Sequence, residues 1–314
     1  MLFSLAILFT VHPLNAQYDK VSVGFYNTEN LFDTIPSPFY DDHEFTPQSR
    51  RHWNSERYRC KLENIARVID DAGFDVVALA EVENETVVRD LVMTLSDDYS
   101  YIHRTSSDRR GIDLALLYKG DKFFPDTVCL INSNTPREFM LVHGNMIGEE
   151  MAVMICHLPS KLNDMDFRLA AASRLSSVAD SLLTCAGYER LVILGDLNCE
   201  LDMPPMSTVF PVGTHSCQFV DVLAKYRHHG FGSYCWDNQW ILYDNIVVSK
   251  SLATGQGLHV AKAGIFIRNY MLTGTGTSVR TDRIQRGYPR RTFYGNRYLG
   301  GYSDHLPVFV IFTR

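Results

Sequence analysis

Eight polar residues stand at the ends of apolar segments of this sequence or interrupt them, and their types could carry out hydrolysis. They are Asn27, Glu81, His157, Asp196, Asn198, Asp244, Asp304 and His305. Carboxylate oxygens are ligands that Mg²⁺ takes in proteins, together with water and substrate phosphate. A histidine on each side of a phosphate could act as base and acid in an in-line displacement. We therefore predict attack on a phosphate group, assisted by a metal near its non-bridging oxygens.

The segment 191–198, LVILGDLN, shows the pattern most clearly. Its four apolar residues predict a strand buried on both faces. Gly195 is expected to let the backbone turn close to a ligand, with Asp196 and Asn198 projecting into a cleft. Taken alone, the segment fits slightly better a strand followed by an Asx turn, in which both side chains bond only their own backbone. The recurrence of polar strand ends along the chain favours a functional cluster.

Strands and helices alternate along the sequence as expected of an α/β protein. Strand-like segments cover residues 21–27, 75–84, 109–119, 138–143, 151–161, 191–198, 239–249 and 300–312, and helix-like segments cover 56–72, 85–95 and 163–185. Asp244 interrupts the apolar run 239–249, and Gly73 is expected to end the first helix. No linker-like segment divides the chain, so we predict one catalytic domain over residues 17–314.

The charge balance limits the partners that the protein can bind. A net charge of −6 and a pI near 6.0 give no global basic field for gripping nucleic acid. A nuclease remains compatible with this balance, because a local basic patch suffices. Within the segment 250–302, predicted as a loop, the stretch from 280 to 297 carries one acid, Asp282, and six arginines: Arg280, Arg283, Arg286, Arg290, Arg291 and Arg297. This run is either a solvated loop or a basic flap beside an anionic substrate.

The first sixteen residues, MLFSLAILFTVHPLNA, predict a signal peptide. They combine an apolar core with Pro13 and a small residue, Ala16, at the expected cleavage point. A first buried strand is the alternative, but the strand beginning at Val21 makes it unnecessary. We predict export to the periplasm or the medium. Since residues 1–16 contain no acid, lysine or arginine, the mature chain would keep its net charge of −6. No other apolar span is long enough to cross a membrane, so no stable membrane insertion is expected.

Seven cysteines are scattered through the chain without the spacing of metal ligands, which disfavours zinc. Their odd number excludes complete pairing within one chain. Cys156, which follows MAVMI, is expected to be a small buried core residue. In an oxidising compartment Cys199 with Cys217, or Cys217 with Cys235, could form a disulfide.

From about Val21 to the C-terminus the chain resembles the endonuclease/exonuclease/phosphatase superfamily, also called the deoxyribonuclease-I-like fold. The most specific motifs are GDLN at 195–198 and SDHLPV at 303–308, supported by Glu81 after DVVALA and by Asn27 in FYNTEN. The resemblance implies a four-layer sandwich, in which two face-to-face mixed β-sheets are flanked by helices. It also implies that Asn27 and Glu81 hold a metal, with Asp304 close by.

The resemblance assigns roles to the other polar residues as well. It implies that Asp196 and Asn198 position water and phosphate, and that Asp244 orients His305. At His157 the apurinic-endonuclease branch has a tyrosine, whereas pancreatic-type deoxyribonucleases, sphingomyelinases and many secreted bacterial members have histidine. The preceding residue is often polar in relatives, and here it is Cys156. Which histidine is the acid and which is the base stays open.

The sequence thus predicts an exported, monomeric phosphoester hydrolase that uses Mg²⁺, with Mn²⁺ or Ca²⁺ as alternatives. Its expected substrate is nucleic acid, cleaved at phosphodiester bonds of DNA or RNA. A phospholipid hydrolase of the sphingomyelinase kind or an inositol-phosphate hydrolase is the alternative, and it would need exposed aromatic residues, for which 123–125 and 231–236 are candidates. A non-catalytic binding module on the same fold is a third hypothesis, which the retention of all matched polar positions disfavours.

Overall fold

The computed structural model describes residues 20–214, 217–273 and 287–314. Its strands are β1 Lys20–Leu31, β2 Val76–Val82, β3 Ser100–Arg104, β4 Asp113–Tyr118, β5 Phe123–Ile131, β6 Phe139–Met146, β7 Glu149–His157, β8 Leu191–Asp196, β9 Phe219–Asp221, β10 Tyr234–Trp236, β11 Gln239–Ile241, β12 Asp244–Ser249, β13 His259–Ile265, β14 Phe293–Tyr294, β15 Arg297–Tyr298 and β16 Val308–Thr313. The α-helices are α1 Ser55–Ala72, α2 Glu85–Thr94, α3 Met165–Thr184, α4 Met206–Val209, α5 Ala224–His228 and α6 Lys250–Thr254. The predicted signal peptide, residues 1–16, and three of the six arginines, Arg280, Arg283 and Arg286, lie outside the described residues.

Two six-stranded mixed sheets form the centre of the fold. The first has the strand order β13-β16-β1-β2-β4-β3, and the second has the order β5-β6-β7-β8-β12-β9. Each contains one parallel pair, β1 with β2 and β7 with β8, among antiparallel neighbours. In a parallel pair both strands end at the same edge of the sheet. The polar residues that end β1 and β2, or β7 and β8, therefore become neighbours.

Alternate residues of each strand pack into different layers, as the two-residue period of a strand requires. Val23 and Phe25 of the first sheet and Val192 and Leu194 of the second share the core between the sheets. The opposite face of the first sheet packs on α1 and α2, and that of the second packs on α3 and α4. The predicted four-layer α/β sandwich is therefore confirmed.

The long helix α1 follows its sequence signals closely. The side chain of Asn54 caps its first turn by accepting a hydrogen bond from the Arg57 N–H, and Gly73 ends it with φ +63°, in the left-handed region that favours glycine. Ile65 and Ile69 face the first sheet. Lys61 lies on the same buried side, which no apolar periodicity predicts.

Three expectations about local structure are wrong. The run 239–249 is not one strand, because the chain leaves the β10–β11 hairpin after Ile241 and starts β12 of the second sheet at Asp244. The segment 250–302 is not one loop, since it contains α6 and also β13, which pairs with β16. No disulfide joins Cys199 to Cys217 or Cys217 to Cys235, whereas Cys156 is fully buried as predicted.

Strands β3 and β5 were not anticipated from the sequence. Five of the nine β5 residues are exposed, so this edge strand lacks the apolar run of a buried one. Within the described ranges, no helix is both long and apolar enough to cross a membrane.

Candidate active site

The first sheet delivers Asn27 and Glu81 to the edge where β1 and β2 end. Glu81 occupies an irregularity in the pairing of β2 with β4 and has φ +63°, an unusual conformation for a residue other than glycine. The Thr28 hydroxyl donates to the carbonyls of Ala80 and Glu81, and the Asn30 N–H donates to Glu81 Oε2 at 3.0 Å. The backbone thus turns the Glu81 carboxylate out of the strand and holds it there.

The second sheet delivers His157 and Asp196, which lie opposite each other in the parallel register of β7 and β8. A Cβ placed on Gly195 would lie 1.9 Å from the Cys156 carbonyl oxygen. The glycine is therefore needed for the close approach of these two strands, not for approach to a ligand as the sequence suggested. The expected Asx turn also forms, since Asp196 Oδ1 accepts the N–H of Asn198 at 2.8 Å. The other oxygen of Asp196, Oδ2, faces the site.

Asp244 and His305 form the third part of the site. The Nδ1 of His305 lies 2.7 Å from Asp244 Oδ2, and both residues are buried. Asp244 also pairs with Asp196 across β12 and β8. Because the carboxylate accepts the Nδ1 hydrogen, the Nε2 atom of His305 points toward Asp196.

One oxygen atom, Asp196 Oδ2, is the point on which these groups converge. It lies 3.7 Å from His157 Nε2 and 3.8 Å from His305 Nε2, and it accepts a hydrogen bond from Asn27 Nδ2 at 3.1 Å. The same Asn27 nitrogen donates to Glu81 Oε1 at 3.2 Å. Residues far apart in sequence and carried by two sheets therefore meet in one buried cluster.

The two histidines experience opposite electrostatic environments. Burial lowers the pKa of His157 well below its ordinary value, and the positive charges of Arg137 and His305 lower it further. Burial alone would lower the pKa of His305, but the carboxylates of Asp244 and Asp196 outweigh it and raise that pKa well above its ordinary value. His157 is thus a neutral ring and His305 a charged one around neutral pH.

Burial raises the pKa of Asp196 to about 7, with positively charged His305 opposing the shift and Asp244 adding to it. A carboxyl group with this pKa can hold or release a proton near neutral pH.

Arg137 is a site residue that the sequence did not single out. It follows β5 in the loop before β6, and its Nη1 lies 3.1 Å from His157 Nε2. Asp108 holds the guanidinium through an Nε contact of 2.7 Å. The arginine donates to His157, so this ring nitrogen accepts, and the tautomer assigned by that contact carries its hydrogen on Nδ1. No sequence motif marks Arg137, because it stands 20 residues before the histidine that it contacts.

Asp304 makes its described contacts with Arg291 and His305 and not with the other two predicted metal ligands. Its carboxylate binds the Arg291 guanidinium, and its Oδ1 lies 4.0 Å from His305 Nε2. Asn27 contacts Glu81 with its amide nitrogen, while its oxygen accepts the Glu29 N–H at 3.0 Å. Of the predicted ligand set, the structure therefore brings Asn27 and Glu81 together and joins Asp304 to an arginine.

The donor atoms at the site suit a hard divalent cation. Possible ligand atoms of Asp196, Asp244 and His305 lie within 4.8 Å of one another, and Asp244 Oδ1 is buried without a hydrogen-bond partner among the described residues. Asp244 and His305 already form a proton-bearing pair through their short hydrogen bond, which engages two of these three groups. The Glu81 side chain is 18% exposed, and its Oε1 atom lies close to both Asn27 Nδ2 and His157 Nε2.

Comparison with known proteins supplies an independent result. The profile of the Endonuclease/Exonuclease/phosphatase family matches residues 22–314. No curated protein sequence matches this chain.

Several solved structures share the fold at low sequence identity. A humanized D. rerio TDP2 has a TM-score of 0.61 at 15% identity, covering 94% of this chain and 99% of its own. An endonuclease/exonuclease/phosphatase family protein of Bacteroides thetaiotaomicron has a TM-score of 0.60 at 18% identity, covering 95% and 98%. A mannosyl-6-phosphatase of the same organism has a TM-score of 0.58 at 18% identity, covering 93% and 99%.

Proposed function

The chain belongs to the endonuclease/exonuclease/phosphatase family, whose members hydrolyse phosphoesters with a divalent metal, and we propose that this member is an exported nuclease. In this proposal it cleaves phosphodiester bonds of DNA or RNA. The observation that supports phosphodiester hydrolysis is the convergence of side chains on Asp196. Two histidine Nε2 atoms lie within 3.8 Å of one of its carboxylate oxygens, and the Glu81 carboxylate lies alongside.

His305 and Asp244 act as the proton-bearing pair in this account. The carboxylate fixes the ring through Nδ1, and the positively charged ring directs its Nε2 hydrogen into the site. It can therefore bind a phosphate oxygen and give a proton to the leaving oxygen. His157 is neutral and held by Arg137, so it shapes the opposite side of the phosphate pocket.

Asp196 and Asn198 orient the attacking water and the phosphate. Asp196 Oδ2 is the acceptor at the centre of the site, where it can take a proton from water. Asn198 uses one amide hydrogen on the Leu158 carbonyl at 2.9 Å, which leaves the second for a phosphate oxygen. A divalent cation, Mg²⁺ in our proposal, would be held by Glu81 with Asn27 orienting the carboxylate and Asp304 nearby, and would offset the charge of the phosphate.

A cavity beside Arg291, the residue that binds Asp304, supports a nucleic acid rather than a simple phosphomonoester as the substrate. Arg291 lines a cavity of about 840 Å³ together with Trp236 and Tyr294, whose side chains are exposed. Aromatic rings beside an arginine suit bases stacked next to a phosphate backbone. A D. rerio TDP2 structure, which shares this fold with a TM-score of 0.60 at 15% identity and covers 94% of this chain and 99% of its own, contains a single-strand DNA product.

The lipid alternative has weaker support. Phe124 and Trp236, one from each candidate aromatic segment, are exposed. They stand on β5 of the second sheet and on the separate β10–β11 hairpin, and the described contacts do not join them into one apolar surface. Trp236 is also accounted for by the cavity beside Arg291.

A side-by-side substrate panel tests the proposal. The purified protein is assayed with Mg²⁺, and with chelator as control, on plasmid DNA, RNA, sphingomyelin, an inositol phosphate and a set of phosphomonoesters. We expect chelator-sensitive cleavage of DNA or RNA that His157→Ala lowers by about 10²-fold. Turnover of lipid or sugar phosphates alone would overturn the nuclease proposal and leave the phosphoesterase assignment standing.

A further inference from the structure

Thr292 lies between two buried charges. Its N–H donates to Glu29 Oε2 at 2.6 Å, and its hydroxyl accepts from Lys61 Nζ at 2.5 Å. Glu29 is 7% exposed and Lys61 1% exposed, so both charges are almost completely removed from water. The hydrolytic steps described above use neither of them.

Lys61 also holds a second segment next to the first, and Glu29 makes a further contact with the first. Lys61 Nζ also donates to the Tyr302 carbonyl at 2.5 Å, two residues before Asp304. Glu29 Oε1 lies 3.4 Å from the Phe293 nitrogen. Segments 291–293 and 302–304 are thereby fixed to β1 and α1. The residues joined by these hydrogen bonds are at least 231 positions apart in the sequence.

Burying a charge is costly unless it is matched by partners. A lysine emerging from an amphipathic helix toward the core is rarely placed there for packing alone. Burial raises the pKa of Glu29 to about 7 and lowers the pKa of Lys61 to about 8, as expected for charges withdrawn from water. The burial of Glu29 and Lys61 therefore indicates that the segments they hold, 291–293 and 302–304, must be kept in fixed positions.

Arg291 is the residue that this arrangement places. It precedes Thr292, its guanidinium binds the carboxylate of Asp304, and its Nε lies 3.8 Å from Glu29 Oε1. The side chain is 28% exposed and lines the cavity that also contains Trp236 and Tyr294. An arginine fixed at one side by a carboxylate can offer its remaining N–H groups to a phosphate in a set direction.

We propose that Glu29 and Lys61 are positioning residues. Their hydrogen bonds to Thr292 hold the neighbouring Arg291 beside Asp304 and His305, where it binds the substrate phosphate. This inference rests on the proposed phosphoester hydrolysis. Glu29 acts only through Arg291, so its loss raises KM and weakens phosphate binding more than it lowers kcat. The fold remains, since the sheet pairing of β1 does not involve the Glu29 carboxylate.

A double-mutant cycle between Glu29→Gln and Arg291→Ala tests the inference. Glu29→Gln keeps one acceptor oxygen and removes the charge. We expect it to lower kcat/KM by about 10-fold in the wild-type background and by less than about 2-fold when Arg291 is already alanine. Thr292→Val, which removes only the hydroxyl that Lys61 grips, is expected to follow Glu29→Gln in direction. Glu63→Gln, an exposed acid on the same helix as Lys61, is the control and should change nothing.

Binding of inorganic phosphate supplies a readout that does not depend on turnover. We expect its dissociation constant to rise in Glu29→Gln and in Arg291→Ala, with no further rise in the double variant, at unchanged circular dichroism. Equal losses for Glu29→Gln in both backgrounds, or a loss that tracks only a lower melting temperature, would overturn the positioning role. Absence of phosphoester hydrolysis by the wild-type protein would instead refute the proposed function.

Discussion

His305 illustrates how one carboxylate sets the chemistry of a ring. Asp244 accepts its Nδ1 hydrogen at 2.7 Å inside a buried pocket, and that single contact decides which nitrogen faces Asp196. An amide at position 244 could donate to Nδ1 and so favour the other tautomer. The pair should therefore matter far more than an exposed histidine–aspartate contact of similar length.

We expect Asp244→Asn to lower kcat by about 10²-fold or more, because the ring would present the wrong tautomer. The chain contains its own control, since Asp126 contacts His143 Nδ1 at 3.0 Å on the surface. Asp126→Asn should leave kcat within about 2-fold. Steady-state kinetics on the best substrate, with melting curves for both variants, check this; similar rates for the two variants would contradict the assignment.

Arg137 gives a second residue-scale prediction. Arg137→Met keeps much of the side-chain length but removes the donor to His157 and a positive charge beside the phosphate pocket. The expected loss in kcat/KM is about 10- to 10²-fold. Arg174 bonds the carbonyl of Asn132, at the start of the same loop, without contacting His157. Arg174→Met should therefore stay near the wild-type rate, and an equal loss in both variants would show that only the loop's shape matters.

The sequence predicted residues that belong to motifs and missed those that act through other residues. Asp196 and His305 stand in short polar motifs after apolar strands, so their types and places could be read directly. Arg137 and Lys61 carry no such signal, because they are placed through contacts with Asp108 and Thr292, which are distant in sequence. Gly195 was noticed for the wrong reason, since its lack of a side chain serves strand packing.

At the scale of elements, the close approach of β7 and β8 sets the position of His157 against Asp196. Gly195→Ala would force its methyl group into the Cys156 carbonyl. We expect a loss of about 2 kcal/mol or more in the free energy of unfolding, together with reduced activity.

Gly120 offers the matched control for this change, because a Cβ there meets nothing within 4 Å. Gly120→Ala should change stability by no more than about 0.5 kcal/mol. Urea unfolding followed by circular dichroism measures both. A stable, fully active Gly195→Ala protein would show that the strands can separate without cost to the site.

Strand and helix positions were predictable where an apolar period was continuous. Helix α1 and strands β2 and β8 follow their patterns closely. The run 239–249 was wrongly predicted as one strand, because it stays apolar while the chain passes from the β10–β11 hairpin to the second sheet. Local sequence does not encode that change of sheet. Strand β13 has a mixed, partly exposed sequence at the edge of the first sheet, so pairing with β16 rather than its own pattern determines it.

At the scale of the whole molecule, the site exists only because two sheets meet. Asn27 and Glu81 come from the first sheet, and His157, Asp196 and Asp244 come from the second. The four layers were predicted from the family resemblance, whereas the distances between the sheets depend on side-chain packing that no motif records. Export and the monomeric state stay predictions.

The most direct test of the account is the metal dependence of hydrolysis and its reliance on Glu81. The rate on the best substrate of the panel is measured with Mg²⁺, after chelation, and after Mg²⁺ is restored, for wild type and Glu81→Gln. We predict that chelation abolishes activity, that Mg²⁺ restores it, and that Glu81→Gln is slower by about 10²-fold with an unchanged fold. Undiminished hydrolysis in chelator, or wild-type rates in Glu81→Gln, would contradict a metal-dependent reaction at this site.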